Sequence, residues 1–286
     1  MLKTVRLTDK NIHGSAMLLG GFDGLHLGHR LLLTRAKQSG LPIGIMTIVG
    51  GKSQSVFTFF EREEIFANLG VDFVFELPFS DIKELSPNEF LTLLEREFAP
   101  KLYICGDDFR FGKNAQGDSE TLKRSTQVRV EVEKLLIRDG EKISTSTIKK
   151  LLGLGEVEKA NALLSENFFL IGEVYKDRGV GKTLNFPTAN ILYPKDKYPI
   201  KNGVYETRTV IEGKAYKGIT NFGARPTFDD DTVVTETYLD GFEGNLYGKK
   251  LKIEFTRFLR EIVKFDSAER LKNQLCEDIR RVKEND

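Results

Sequence analysis

The spacing of apolar residues changes character once along the chain, and that change constrains the fold more than any single residue. Up to Leu152, strand-length apolar runs alternate with segments of helical spacing. Ala16–Gly20, Ile43–Ile48, Val71–Leu77, Leu102–Cys105 and Val128–Ile137 read as strands, with helices over His29–Gln38, Phe59–Asn68 and Ser86 to Phe98. Alternation of this kind predicts a parallel, doubly wound α/β sheet, because parallel neighbours need a long crossover. Ser86-Pro87-Asn88-Glu89 is a capping box with Pro at the first helical position. Short helices are expected over Ser144–Leu152 and Glu156–Leu164, parted by Gly153-Leu154-Gly155. That break is read as the boundary between a domain of residues 1–153 and one of residues 154–286. Beyond it, Phe168–Val174, Val204–Ile211, Lys214–Thr220, Val233–Leu239 and Leu251–Phe255 read as short strands between Gly, Pro, Asn and Asp clusters. This half is expected to be all-β, an antiparallel barrel closed or nearly so. Leu271, Leu275, Ile279 and Val282 then form one apolar stripe on a last helix, behind a cap at Asp266 or Ser267.

Charge and cysteine usage narrow the partners. The chain has 43 Lys and Arg against 42 Asp and Glu, and neither half is a basic block. Binding to nucleic acid or to an anionic membrane is therefore not expected. No apolar run is long enough to cross a bilayer, and Met1–Lys10 has no apolar core of a signal peptide. Two cysteines, Cys105 and Cys276, make neither a disulfide framework nor a metal motif, which favours a cytoplasmic location. Any anion site must be built locally, from backbone amides, helix ends and a few side chains.

Two segments meet that description. Gly20-Gly21-Phe22-Asp23-Gly24-Leu25-His26-Leu27-Gly28-His29 joins a strand to a helix and holds two of the chain's three histidines. Free N–H groups and the dipole at a helix start attract anions. Imidazoles at i and i+3 can face one oligophosphate, and glycines at 24 and 28 admit close approach. The spacing fits no G-x-G-x-x-G fingerprint. Ser144, Thr145 and Ser146, with Lys149 behind them, start a second helix where hydroxyls, amides and a cation can hold more of the same ligand. Asp108, Phe109, Arg110 and Phe111 form an acidic-aromatic loop suited to a planar ring.

In the second half, Gly179-Val180-Gly181-Lys182-Thr183 is not a P-loop: Lys176 stands where the first Gly is required, and Leu184-Asn185-Phe186-Pro187 does not open a helix. Thr188 and Asn190 supply hard oxygen atoms of the kind that help hold Mg²⁺, and the glycines before them can offer amides to phosphate. Glu236 shares a strand face with Val234 and Tyr238, an acid among apolar neighbours.

Taken together, these segments resemble those of bacterial bifunctional riboflavin kinase/FAD synthetases over nearly the whole chain. The histidine loop is similar to that family's nucleotidyltransferase signature. Gly106-Asp107-Asp108-Phe109-Arg110-Phe111-Gly112 and Ile143-Ser144-Thr145-Ser146-Thr147-Ile148-Lys149 resemble its next two motifs. Phe186-Pro187-Thr188-Ala189-Asn190, Asn221-Phe222-Gly223-Ala224-Arg225-Pro226-Thr227-Phe228, Leu246-Tyr247-Gly248-Lys249 and Leu259-Arg260-Glu261 resemble its kinase motifs. The resemblance implies a Rossmann-like nucleotidyltransferase domain, then a six-stranded antiparallel barrel with a C-terminal helix. It implies ATP, riboflavin, FMN and FAD as substrates and products, Mg²⁺ as cofactor, and FAD biosynthesis as the role, with oligomeric state left open. It places ATP of the adenylyltransferase on Gly20, Phe22, Gly24, Gly28, Ser144, Thr145, Ser146 and Lys149, with His26 and His29 catalytic. It places flavin on Asp108, Phe109, Arg110, Phe111, Arg225 and Arg260. Nucleotide of the kinase falls on Gly179, Gly181, Lys182, Thr188 and Asn190, the last two also on the metal, and Glu236 is the catalytic base. Three departures stand out. Ile48-Val49-Gly50-Gly51-Lys52 lies where the family often has Phe-Glu-Pro-His-Pro, Lys149 replaces Arg, and Asn185 replaces Gly. Two other readings are a nucleotidyltransferase with a merely ligand-binding barrel, and a non-enzymatic flavin sensor; the kinase motifs oppose the first and the histidine pair the second.

Overall fold

A computed structural model describes residues 2–6, 14–51, 54–134, 136–138, 140–176, 188–224 and 233–284. The chain forms two compact units. One comprises Met1–Ser53 with Phe59–Thr147, the other Gln54–Thr58 with Ile148–Asp286.

The first unit contains β1 (Lys3–Arg6), β2 (Ala16–Leu19), α1 (Leu27–Gln38), β3 (Ile43–Val49), α2 (Phe59–Asn68), β4 (Phe73–Pro78), α3 (Phe79–Ile82), α4 (Pro87–Phe98) and β5 (Leu102–Gly106). After these come β6 (Arg110–Phe111), β7 (Gly117–Asp118), α5 (Ser119–Ser125), β8 (Arg129–Glu133), β9 (Ile137–Arg138), β10 (Glu141–Lys142) and α6 (Thr145–Leu154), whose first turn belongs to this unit. Six strands pair in the order β1-β4-β3-β2-β5-β8, all parallel. The chain winds outward from β2 on one side and from β5 on the other, which opens a crevice beyond their carboxyl ends. The core is apolar on both faces of β2, whose four residues are all buried. The expected capping box opens α4 in both directions: Ser86 Oγ accepts from Glu89 N–H (3.3 Å), and Glu89 Oε2 accepts from Ser86 N–H (2.8 Å). The expected strand over Val128–Ile137 stops at Glu133, because β5, its only strand partner among the described residues, ends at Gly106 opposite it; a small hairpin of β9 and β10 follows. Helix α6 runs through Gly153 and ends at Leu154; the next residue, Gly155, takes φ +81° and its N–H bonds to Leu152 O. Gly155 is thus the terminator, and Gly153 lies inside the helix.

The second unit adds α7 (Val157–Asn161), β11 (Phe169–Glu173), β12 (Thr188–Leu192), β13 (Gly203–Ile211), β14 (Lys214–Ala224), β15 (Val233–Leu239), β16 (Lys250–Arg260) and α8 (Ala268–Lys283). The strands pair antiparallel in the order β11-β16-β13-β14-β15-β12. A bridge from Tyr175 to Asn190 links the two edges, so the sheet curls into a near-closed barrel. At this seam Gly172 is required: a Cβ there would lie 2.2 Å from Ile191 Cγ2. Strand β12 is not among the strands read from the sequence; its five residues are defined by pairing with β15. Ser267 caps α8 through Arg270 N–H (3.3 Å). Of the expected stripe, Val282 is buried and Ile279 packs beside it against Val204 and Ile219, while the side chain of Leu271 lies outside the described residues.

Segment Gln54–Thr58 completes this second core. Ser55 bridges to Lys197, and Val56 O accepts from Lys197 Nζ (2.9 Å). The buried ammonium stands 5.0 Å from the ring centre of Phe57 and 4.6 Å from that of Phe168, a cation enclosed by aromatic faces.

Candidate active sites

In the first unit, a cavity of about 570 Å³ opens at the carboxyl ends of the strands. His26 is the N-cap of α1, its Nδ1 accepting from His29 N–H (3.3 Å). This bond leaves the ring proton of neutral His26 on Nε2. The two imidazoles stack with centroids 3.7 Å apart, and the Phe22 ring backs His29 at 4.4 Å. The loop is strained to do this, since Phe22 and Leu25 both take left-handed φ, +42° and +41°. Burial pushes the His26 pKa down to about 4, Asp108 opposing and Lys142 adding to the shift. Burial, then the adjacent His26, holds His29 well below the ordinary imidazole range. Both rings are therefore neutral near pH 7 in the unliganded protein.

Gly20, Gly28, His26 and His29 line this cavity together with Ser144, Thr145, Ser146, Asp108, Phe109, Arg110 and Phe111. Ser144 Oγ accepts from Thr147 N–H (3.2 Å) at the start of α6, so a second helix start faces the same space. The loop after β5 folds back over the start of α4: Gly112 rests on Pro87, and Phe111 lies 5.6 Å from Phe90 and 5.4 Å from Phe109. One side of the cavity is consequently apolar, with Met46, Ile48, Phe79, Ile82 and Phe90 beside the two loop phenylalanines. The other, at β5 and β8, is polar, with Asp108, Glu133, Lys134 and Lys142.

In the second unit, pairing of β12 with β15 sets Asn190 opposite Glu236, and Glu236 is opposite Asn221 on β14. Residues directly opposite share a sheet face, so Thr188, Asn190, Glu236 and Asn221 form one polar row. Thr188 Oγ1 donates to Glu236 Oε1 (2.8 Å). Thr188 also lines a cavity of about 340 Å³ with Val174, Ala189, Leu239, Phe242 and Tyr247. Asn190 and Glu236 do not line that cavity themselves; in their row with Thr188 they present a hydroxyl, an amide and a carboxylate, all hard oxygen donors. Among the described residues no three His, Cys, Asp or Glu gather, so the set suits a cation shared with phosphate rather than caged by protein.

Comparison with known proteins agrees with this division. The FAD synthetase family profile matches residues 8–147 and the riboflavin kinase profile residues 164–285. A bifunctional riboflavin kinase/FMN adenylyltransferase of Listeria monocytogenes is 30% identical, with 97% of this chain aligned to 93% of that one. The chain belongs to the bifunctional riboflavin kinase/FMN adenylyltransferase family. The Bacillus subtilis member is likewise 30% identical, over 92% of this chain and 90% of its own. A solved structure described as a macrolide-efflux protein from Streptococcus pneumoniae has a TM-score of 0.88 at 26% identity, covering 98% of both chains. Among the described residues here, no helix is long and apolar enough to cross a membrane. Both enzyme activities of the family, riboflavin phosphorylation and FMN adenylylation, serve flavin cofactor synthesis and act on riboflavin, FMN and ATP.

Within this family frame, not every expected residue reaches a cavity. Phe22 is buried behind His29, and Gly24 is buried without lining the cavity. Lys149 does not line it either: its Nζ donates to Gln54 O (2.6 Å) and stands 5.6 Å from the Tyr198 ring centre. The cations at the cavity wall are Arg110, Lys134 and Lys142, the last paired with Asp108. Arg260 is engaged by Asp278 of α8, Nε at 3.0 Å and Nη2 at 2.7 Å, and by Glu261 O at 3.1 Å; it anchors the C-terminal helix. Gly179, Gly181, Lys182 and Arg225 lie outside the described residues. The apolar wall and Glu133, Lys134 and Lys142 were missed by motif reading. Their signal is position: apart from Phe90 of α4, they lie towards or just beyond the carboxyl ends of β3, β4 and β8, or precede α6.

Proposed function

We propose that residues 1–153 carry the adenylyl transfer and residues 154–286 the kinase step, both in the cytoplasm, through the following side chains. In the barrel, Glu236 orients the ribityl 5′-hydroxyl of riboflavin and accepts its proton as the oxygen attacks the γ-phosphorus of ATP. ADP leaves and FMN forms. The observation that carries this assignment is the 2.8 Å bond from Thr188 to Glu236, which ties the carboxylate to the member of the polar row that lines a cavity of about 340 Å³. Thr188 and Asn190 would hold Mg²⁺ jointly with the ATP phosphates. The ion supplies charge neutralisation on the transferring phosphoryl group.

In the first unit, a phosphate oxygen of FMN attacks the α-phosphorus of a second ATP, the α–β bond breaks, and FAD and pyrophosphate result. No covalent enzyme intermediate is needed. The His26 Nε2–H and His29 donate to the departing pyrophosphate, where charge develops, and the N–H groups at the starts of α1 and α6 add to the same field. The isoalloxazine ring takes the apolar side of the cavity, against Phe109 and Phe111, and the nucleotide takes the polar side.

Incubation with riboflavin, ATP and Mg²⁺, followed by chromatography, tests the division. Wild type yields FMN and then FAD. His29→Ala is expected to abolish FAD while FMN still accumulates; loss of both products would contradict separate sites.

A further inference from the structure

We infer that Glu133 reads the ribose of ATP during adenylyl transfer, accepting a hydrogen bond from a ribose hydroxyl, and that Arg35 is the positioning residue that holds it there. The inference rests on the reading of the first cavity as the adenylyltransferase site. Glu133 is the last residue of β8 and lines that cavity with its side chain 28% exposed. Its Oε1 is pinned by Arg35 Nε of α1 at 2.8 Å, and the same nitrogen meets Glu131 Oε2 at 3.1 Å. Glu131 is paired in turn with Arg129. Two guanidinium groups and two carboxylates cancel, so the cluster does not repel a polyphosphate as a lone acid would. Among the described residues Oε1 is the only Glu133 carboxylate oxygen with a partner. Oε2 remains as an acceptor with no proton to give.

Such an oxygen demands a donor on the ligand. ATP carries three kinds: the 2′ and 3′ hydroxyls and the 6-amino group. The order of groups along the wall selects the hydroxyls. Glu133 O accepts from Asp107 N–H (2.9 Å). The next residue, Asp108, holds Lys142, two residues before the Ser144 cap of α6. Glu133 thus adjoins the loop whose Asp108 holds Lys142, with the cation Lys134 next to it in sequence on the same cavity wall, and the ribose is the neighbour of the phosphates along ATP. An acid at a strand end that takes ribose hydroxyls is a recurrent solution in doubly wound sheets.

The test uses the full-length protein, with FAD formation from supplied FMN measured for ATP, 2′-deoxy-ATP, 3′-deoxy-ATP and inosine triphosphate. Wild type is expected to favour ATP over at least one deoxy analogue by about tenfold or more in kcat/KM, the scale of a bond to a charged acceptor. Glu133→Ala should raise KM for ATP about tenfold with little change in kcat, and bring that analogue to within about twofold of ATP. Arg35→Met should move the same ratio in the same direction, and Arg35→Lys should recover part of it. The KM for FMN and the riboflavin kinase rate should stay put. An unchanged ATP/deoxy-ATP ratio in Glu133→Ala overturns the inference, as does a change confined to the ATP/inosine triphosphate ratio. Failure of the cavity reading itself shows separately, as His29→Ala retaining FAD synthesis.

Discussion

Replacing Gly28 by Ala should separate catalysis from stability in the first unit. A Cβ at this position would stand 3.0 Å from His26 Nδ1 and 3.1 Å from Cε1, where an ordinary contact is about 3.5 Å. The ring must therefore give way by about 0.5 Å. It has little room to do so, since it is stacked on His29 at 3.7 Å and His29 is backed by Phe22 at 4.4 Å. Phe22 in turn lies close enough to Gly20 that a Cβ there would be 3.1 Å away. If 1 Å of misplacement costs about 10²-fold, half of that costs about tenfold, or about 1.4 kcal/mol in the barrier. Stability should scarcely move. Ala gains about 1 kcal/mol over Gly inside a helix, while loosening the His26 cap loses about 1 kcal/mol. The assay is FAD formation from supplied FMN, with FMN formation from riboflavin as the internal control and thermal melting as the folding control. Adenylylation within twofold of wild type would refute the confinement argument, and so would an equal fall in the kinase reaction.

Three further changes probe other parts of the molecule. Glu236→Ala should lower FMN formation by about 10²-fold or more and leave adenylylation of supplied FMN intact; unchanged kinase turnover would remove Glu236 from its role. Asp278→Ala should strip the buried partner from Arg260 and destabilise the second unit by about 3–5 kcal/mol. Calorimetry should show its melting point down by roughly 10 °C, and a shift under about 3 °C would contradict a structural anchor. Acid should weaken the first unit in a defined window. His26 titrates near 4 when folded and near 6.5 when unfolded, so the unfolded chain binds more protons between those values and stability falls as pH drops through them. His26→Asn should flatten that slope in melting curves taken from pH 7 to 5; an unaltered slope would assign the effect elsewhere.

What could be read from the sequence was whatever is encoded locally. The capping box at Ser86, the stack-forming pair His26 and His29 at the start of α1, and the switch from alternating to strand-only patterning all depend on residues a few positions apart. Long-range pairing hid the rest. Strand β12 exists because β15 offers it a ladder. Lys149 follows the Ser144 helix start in sequence, yet on α6 it comes after the buried Ile148 and turns to Gln54, while Lys142 of the preceding hairpin reaches the cavity. Arg260 lies in a motif-like string, but its partner is an acid buried on the last helix. The aromatic and aliphatic wall around Phe79 is drawn from β3, α3, α4 and the loop after β5, and no short window contains it.

The loan of Gln54–Thr58 to the second unit bears on how this enzyme can be dissected. A gene cut once near residue 147 would release a barrel lacking part of its own interior: Lys197 would lose the Val56 carbonyl and the Phe57 ring, leaving an ammonium sealed among Phe168 and Phe169. The kinase half is thus an incomplete inheritance on its own, and swapping it between relatives requires carrying five residues from far upstream along with it.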